Sequence, residues 1–130
     1  MPGEIITSPK VSIPNAVISH AIRVPAGNLV FVSGQTARNA QREIVGVGDI
    51  EAQTHQVFAN IMAVLEEAGA TLQDVVKANI YVTDIKDQPK VTEVRKGYFG
   101  ETRPASTFVQ VKSLAHPDIL IEIEVVAVAP

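Results

Sequence analysis

The last apolar segment of the chain constrains the fold most. Residues 119–128 read Ile-Leu-Ile-Glu-Ile-Glu-Val-Val-Ala-Val, and so many β-branched residues predict a buried strand. Strand side chains alternate between two faces, so Ile121 and Ile123 share one face and Glu122 and Glu124 the other. Because a buried, unpaired carboxylate is costly, these glutamates must face solvent, a partner group or a polar cleft. The third environment would be a reaction site.

The composition predicts a single domain over residues 1–130. The chain is 46% hydrophobic and 19% charged, which is enough apolar material for a sizeable core. A net charge of -3 with scattered Lys and Arg predicts no nucleic-acid partner and disfavours RNA cleavage. The chain has no cysteine, so thiolate chemistry is excluded. We expect no targeting segment, no membrane partner and a cytoplasmic location.

Hydrophobic periodicity and turn residues predict the element order β-β-(β)-α-β-α-β-β. Three prolines in residues 1–15 predict an extended arm. The predicted strands cover 16–24, 29–33, a short optional strand at 44–47, then 75–83, 107–111 and 119–128. Turn residues at 25–28 predict a hairpin between the first two strands.

Two amphipathic segments predict the helices. The first follows Asp49 as its N-cap and stops at Gly69. The second carries an apolar stripe of Val91, Val94 and Tyr98 and ends near Gly100.

This order indicates an α+β fold with both helices on one face of the sheet. The opposite face would carry Leu120, Glu122, Glu124 and Val126, a set too apolar to stay wet in a monomer. A homo-oligomer with closed cyclic symmetry would cover it.

Several segments resemble the RidA/YjgF family, in order from about Ile18 to Val128. The resemblance rests on Gly-Asn-Leu-Val-Phe-Val-Ser-Gly-Gln at 27–35, Gly-Asp-Ile-Glu-Ala-Gln-Thr at 48–54, Asn60 with Glu66, Ala68 and Gly69, Asp-Val-Val-Lys at 74–77, Tyr-Val-Thr-Asp at 81–84, Arg-Pro-Ala at 103–105 and Ile-Glu-Ile-Glu at 121–124. It implies a chorismate-mutase-like fold, a homotrimer and small-molecule sites in clefts between subunits. In the best-known branch, those sites hydrolyse enamines or imines to 2-oxo acids and ammonia.

The resemblance also implies a site. Glu122 matches the family acid, whose role is to position and polarise a water as a general base. The other implied substrate-binding positions are Gly34, Gln35, Ala105, Ser106, Thr107, Ile18 and Thr92. Arg103 is a further substrate-binding candidate because it is the guanidinium nearest to Ser106 in sequence.

One position departs from the pattern of the deaminating branch, which reads Pro-Ala-Arg and holds the substrate carboxylate with that Arg. This chain reads Pro-Ala-Ser at 104–106, and a hydroxyl cannot replace a charge-assisted contact of about 1.5–3 kcal/mol. The standard 2-iminopropanoate deaminase activity is therefore in doubt. Arg103 is either a substitute clamp or a solvated loop residue, and Arg23 is a weaker substitute.

Two functions remain open. One is an enzyme that hydrolyses an enamine or imine to a carbonyl compound and ammonia, with Glu122 activating water. The other is a non-catalytic small-molecule-binding or regulatory module that keeps the cleft but has lost the chemistry. In both, the ligand is a small metabolite, with a carboxylate as one candidate. We predict no metal and no cofactor, because neither ligand spacing nor a phosphate loop occurs.

Overall fold

A mixed four-stranded sheet forms the centre of the protein, seen here in a computed structural model that describes residues 2–10, 12 and 17–130. In chain order, the strands are β1 (Glu4–Ile6), β2 (Ala21–Arg23), β3 (Asn28–Gln35), β4 (Val75–Val82), β5 (Ala105–Gln110) and β6 (Ile121–Ala129), and the helices are α1 (Ile50–Glu67) and α2 (Gln88–Phe99). The main sheet has the order β3-β6-β4-β5; β4 and β5 are parallel, and the other neighbours are antiparallel. The predicted α+β class, with two helices and a mixed sheet, is confirmed.

Helix α1 begins and ends where the sequence predicts. The Asp49 carboxylate accepts a hydrogen bond from the Ala52 N–H at 3.1 Å, which satisfies one of the free donors at the helix start. After the last turn, Gly69 has a φ of 72°, a left-handed conformation that glycine adopts without steric cost. The buried face of α1 consists of Ile50, Gln53, Thr54, Val57, Phe58, Ile61 and Leu65. This face packs against β3 and β6.

Helix α2 joins the core through aromatic contacts with α1. The Phe58 ring stacks on Tyr98 with 4.5 Å between ring centroids, and Phe99 meets it edge-on at 5.5 Å. The buried residues of α2 are Val91, Arg95 and Phe99. One charged side chain therefore lies on the apolar side of this helix.

The N-terminal pairing differs from the prediction. Strand β2 pairs antiparallel with β1 in a small separate sheet, so the hairpin expected between 16–24 and 29–33 is wrong. The optional strand at 44–47 is also wrong, since an isolated bridge between Arg38 and Ile44 takes its place. Residues 1, 11 and 13–15 of the predicted arm, and residue 16 of the predicted first strand, lie outside the described residues.

Strand β6 separates an apolar face from a polar one, as its alternation predicts. Ile121 and Ile123 are fully buried on the helix side, whereas Glu122 and Glu124 are half-buried on the other. Leu120, predicted on the polar face, instead packs against the core, because a hydrogen bond from its N–H to Gln53 Oε1 ties it to α1.

The sheet face opposite the helices is open and partly apolar. On β3, the Phe31 side chain is 72% exposed and Leu29 is 55% exposed. Phe31 is in register with Val126 of β6, so the two side chains share this face. Hereafter we call this surface, with Glu122 and Glu124, the open face.

Candidate functional site

Glu122 lies against the backbone at the end of β3. A β-bulge interrupts the β3–β6 register between Val32 and Gln35, and Gly34 lies within it. A Cβ atom built on Gly34 would overlap the Glu122 carboxylate. The structure thus brings together two of the sequence-predicted site residues, Glu122 and Gly34, whereas Gln35 is in register with Ile123, whose side chain faces the helices.

The neighbouring acid, Glu124, is occupied by other side chains. The Tyr81 hydroxyl donates to its Oε1 at 2.6 Å, and the Asn79 amide donates to the same atom at 3.0 Å. These two hydrogen bonds, that from Tyr81 first, lower the pKa of Glu124. The hydrogen bond to Glu124, partial burial and the nearby glutamate charges raise the pKa of Tyr81.

Glu122 has a different environment. It faces Tyr81 across the β4–β6 ladder, but within residues 2–10, 12 and 17–130 no hydrogen bond or ion pair engages its carboxylate. Of the two acids on the open face, Glu124 is a fixed acceptor and Glu122 is available to a ligand or a water.

Ser106 belongs to a second group, between β5 and α2. It is in register with Ala78, which is fully buried on the helix side of the sheet, so Ser106 also faces the helices. Its Oγ accepts a hydrogen bond from Arg95 Nη1 of α2 at 3.2 Å. Thr92 lies half-buried one turn earlier on the same helix.

The segment before β2 borders this second group. Ser19 forms a parallel bridge with Ala105, and its hydroxyl donates to the Arg103 carbonyl at 2.7 Å. Ile18 is half-buried in this segment. The Arg103 side chain, in contrast, is exposed.

Two further candidates lie elsewhere. Thr107 is in register with Asn79 and therefore faces the open side of the sheet. Arg23 forms an exposed ion pair with Glu4 at 3.2 Å in the small sheet.

The candidate residues thus form two groups on opposite faces of one sheet. The first is Glu122 with Gly34, on the open face. The second is Ser106 with Thr92, next to the Ile18 segment, on the helix side. A single subunit does not bring Glu122 and Ser106 into one cleft.

Arg95 is the residue of the second group that sequence reasoning missed. Its side chain is only 2% exposed, and its guanidinium lies 5.3 Å from the centre of the Phe99 ring. Burial lowers its pKa to about 10, so it stays charged at neutral pH. The available signal was its spacing: it comes four residues after Val91 and four before Phe99, on the apolar stripe.

A cavity of about 250 Å³ opens beside Arg95. It is lined by Val17, Arg95, Lys96, Phe99, Gly100 and Thr102. The Arg95 Nη2 atom is shielded from solvent and has no hydrogen-bond partner among the described residues. A cation with an unused donor at a small cavity is chemically suited to bind an anion.

Within residues 2–10, 12 and 17–130, no group of three or more His, Asp or Glu side chains is arranged to hold a metal ion. In the same ranges, no helix combines the length and hydropathy that a membrane crossing needs.

Known proteins match nearly the full chain. The sequence model of the family described as Endoribonuclease L-PSP matches residues 10–129. A RutC family protein of Pyrococcus abyssi is 44% identical over 127 residues, covering 98% of each chain. The 3-aminoacrylate deaminase RutC of Acinetobacter baylyi is 41% identical over 127 residues, also 98% of each chain. The crystal structure of the Rid family protein YyfB from Yersinia pestis matches with a TM-score of 0.88 at 36% identity, covering 98% of this chain and 99% of that one.

Proposed function

This chain belongs to the RidA/YjgF family, and from that membership we propose that it is an enzyme that hydrolyses an enamine or imine to a carbonyl compound and ammonia. The observation that carries the proposal is the Glu122 carboxylate, which lies against the Gly34 backbone and has no partner in the described residues. A half-buried, unused acceptor is suited to hold a water molecule. The relative in A. baylyi is named for deamination of 3-aminoacrylate, which is an enamine.

Hydrolysis of a C=N bond needs a water and a group that moves its protons. As the water oxygen attacks the imine carbon, Glu122 takes one water proton and returns it to nitrogen. The carbon then carries a hydroxyl and an amino group. Glu122 takes the hydroxyl proton and passes it to the amino group, so the C–N bond breaks, ammonia leaves and a C=O bond forms. An enamine enters the same sequence after tautomerisation, in which carbon gains a proton and nitrogen loses one to give the imine.

The working site is proposed to lie between subunits of a homotrimer. Within one subunit, Glu122 and Ser106 are on opposite faces of the sheet, so a site that uses both groups takes them from two copies. The exposed Phe31 and Leu29 side chains on the open face give a second copy an apolar surface to cover. These two observations support a cleft between subunits.

A non-catalytic binding module is the second candidate. It is favoured by Ser106, which stands where the deaminating branch carries its carboxylate-binding Arg. RNA cleavage, which the name of the family model refers to, is disfavoured by the net charge of -3, since RNA binding depends on cationic contacts to phosphate.

The proposal is tested by ammonia release from imines generated in situ. A PLP-dependent dehydratase acting on serine or threonine supplies 2-imino acids, and the release rate is compared with and without this protein. We expect a rate above spontaneous hydrolysis for the native chain. Glu122→Gln cannot accept a proton and is expected to lower the catalysed rate by on the order of a hundredfold or more.

Glu124→Gln is the matched control for this experiment. It removes a carboxylate charge two residues further along the same face of β6, and its amide oxygen can still accept hydrogen bonds from Tyr81 and Asn79. We expect this variant to keep most of the native rate. Equal rates for native protein and Glu122→Gln, with tight binding of a small ligand by both, would instead establish the binding module.

A further inference from the structure

We propose that Arg95 binds the carboxylate of a small organic acid in the cavity beside α2, with Ser106 as the hydroxyl that positions its guanidinium. This proposal rests on the proposed function, because it names the substrate class of that site. It concerns a residue that stands on a helix, whereas Arg103 and Arg23 were the candidates from sequence.

The first argument is the incomplete hydrogen bonding of a buried cation. A guanidinium carries five N–H donors in a rigid plane. For Arg95, the described residues supply one acceptor, Ser106 Oγ at 3.2 Å from Nη1, while Nη2 is shielded from solvent and has none. A buried charge lacking acceptors destabilises the fold, so its presence is explained by a ligand that supplies them.

The second argument is the charge of the cavity. Its lining residues include two cations, Arg95 and Lys96, and no carboxylate. Lys96 pairs with Glu93 at 3.1 Å and is half exposed, whereas Arg95 is buried. Among the described residues, no carboxylate pairs with Arg95, so its charge is the one that an anionic ligand would complement.

The third argument is shape. A carboxylate matches a guanidinium edge with two parallel hydrogen bonds. The cavity of about 250 Å³ is smaller than the roughly 300–1,000 Å³ of sites for drug-sized ligands. Phe99 and Val17 give it apolar walls, which suit the short carbon chain of an acid rather than a nucleotide.

Ser106 and Arg95 are matched to each other. The small hydroxyl at 106 leaves room for a guanidinium that arrives from α2, and it accepts the hydrogen bond from Nη1. A positive group therefore occupies the region of position 106 although the strand residue itself is neutral. The carboxylate clamp is relocated from the strand to the helix.

Calorimetric titration with 2-oxobutanoate and with its uncharged methyl ester tests the proposal. The native protein is expected to bind the acid and to bind the ester far more weakly. Arg95→Met removes the charge but keeps the length and the apolar contacts, and it should weaken acid binding by on the order of ten- to a hundredfold. Lys90→Met, which removes an exposed cation from the same helix, is the matched control and should bind as the native protein does.

Thermal unfolding separates a binding role from a structural one. Because Arg95→Met replaces a poorly satisfied buried charge with an apolar side chain, its Tm should be unchanged or raised. Weaker acid binding together with an unchanged or raised Tm supports the proposal. The proposal is overturned if Arg95→Met binds the acid as tightly as the native protein does, whatever its oligomer mass. It is also overturned if the native protein binds the acid and the ester equally well.

A readout in the native chain covers the case in which Arg95→Met does not fold. The side-chain ¹⁵N resonances of Arg95 should shift on titration with 2-oxobutanoate and stay in place on titration with the ester. Binding through Arg95 with no ammonia release would refute the proposed deaminase while leaving this inference intact. Deamination with a KM that Arg95→Met does not change would refute this inference and leave the deaminase intact.

Discussion

Gly34 and Glu122 share one volume, because the space that a side chain at Gly34 would fill is where the Glu122 carboxylate lies. We predict that Gly34→Ala lowers the rate of imine hydrolysis by on the order of ten- to a hundredfold, since a displacement of about 1 Å can cost that much. Stability should change little, because a flexible carboxylate can move aside. The measurements are kcat/KM and the free energy of unfolding.

Gly97→Ala is the matched control for this substitution. A Cβ atom at Gly97, on α2, meets nothing within 4 Å, so this change should preserve the rate and stabilise the helix by about 0.5–1 kcal/mol. A Gly34→Ala enzyme as active as the Gly97→Ala enzyme would show that the position of Glu122 does not limit the reaction.

Mixed oligomers should be more active than either parent variant. We predict that Glu122→Gln and Arg95→Met subunits, co-expressed with different tags and purified through both, form some sites with an intact residue from each parent. In a cyclic trimer that contains both kinds of subunit, and with two subunits per site, one site in three is intact, which is about a third of all sites. The expected kcat/KM at low substrate is therefore up to about a third of the native value.

A control for this experiment is a mixture of native and doubly substituted subunits. In this mixture, a site is intact only when both of its subunits are native. If doubly tagged oligomers form but stay at the parental level, the reaction does not take Glu122 and Arg95 from different copies.

Tyr81 makes part of the stability depend on pH through Glu124. Because the hydrogen bond from Tyr81 lowers the pKa of Glu124 from its ordinary 4.5, this contribution is present above the ordinary pKa and is lost as the pH falls through the lowered one. We predict that Tyr81→Phe reduces the loss of stability on acidification. Urea unfolding at equal subunit concentration, on both sides of pH 4.5, measures it.

The dependence of stability on pH in the alkaline range provides a second check on the Tyr81–Glu124 pair. Because the pKa of Tyr81 is raised in the folded protein, its contribution to stability is present below its ordinary pKa and is lost as the pH rises through the raised value. Tyr81→Phe has no phenol to titrate, so this loss of stability at alkaline pH should be absent. Parallel pH profiles for the native and Tyr81→Phe proteins would contradict this role.

Gln53 holds two loops together in the core. Its side chain is fully buried; Nε2 donates to the carbonyls of Gly46 and Asp118 at 3.1 and 2.7 Å, and Oε1 accepts from the Leu120 N–H at 2.9 Å. Gln53→Ala removes all three hydrogen bonds; the Gly46 carbonyl keeps the Asp49 N–H at 2.9 Å, but the Asp118 carbonyl and the Leu120 N–H lose their Gln53 partner, so we expect a loss of about 2–4 kcal/mol in the free energy of unfolding. Denaturant titration measures it.

Gln56→Ala is the comparison for Gln53→Ala. The Gln56 amide makes one hydrogen bond, to Asn60 on the same helix, and its loss should cost about 1 kcal/mol or less. Equal losses for the two variants would mean that the loop contacts of Gln53 add nothing.

Local patterns were sufficient to predict the helices and the central strands. The Asp49 cap, the Gly69 stop and the alternation along β6 all follow from nearest-neighbour chemistry, and each is confirmed. The pairing of β2 was not predictable in the same way. Residues 25–28 favour a turn locally, but the partner of β2 is β1, which is distant in sequence.

The site residues were only partly predictable from sequence, for a related reason. Which face Ser106 occupies depends on its register with Ala78 of β4, a long-range pairing that a single strand does not reveal. The sequence does not single out Arg95, because an arginine within an amphipathic helix is usually solvated. Only its burial and its contact with Ser106 distinguish it from a solvated residue.

Asn60 connects the end of β3 to α1. Its Nδ2 donates to the carbonyls of Thr36 and Arg38, at 2.9 and 2.8 Å, just after the Gly34–Gln35 backbone that faces Glu122. Helix α1 therefore holds the backbone of residues 36–38 in place before any ligand binds. Binding of a ligand or a water at this backbone therefore costs the protein less conformational entropy than binding at a free loop would.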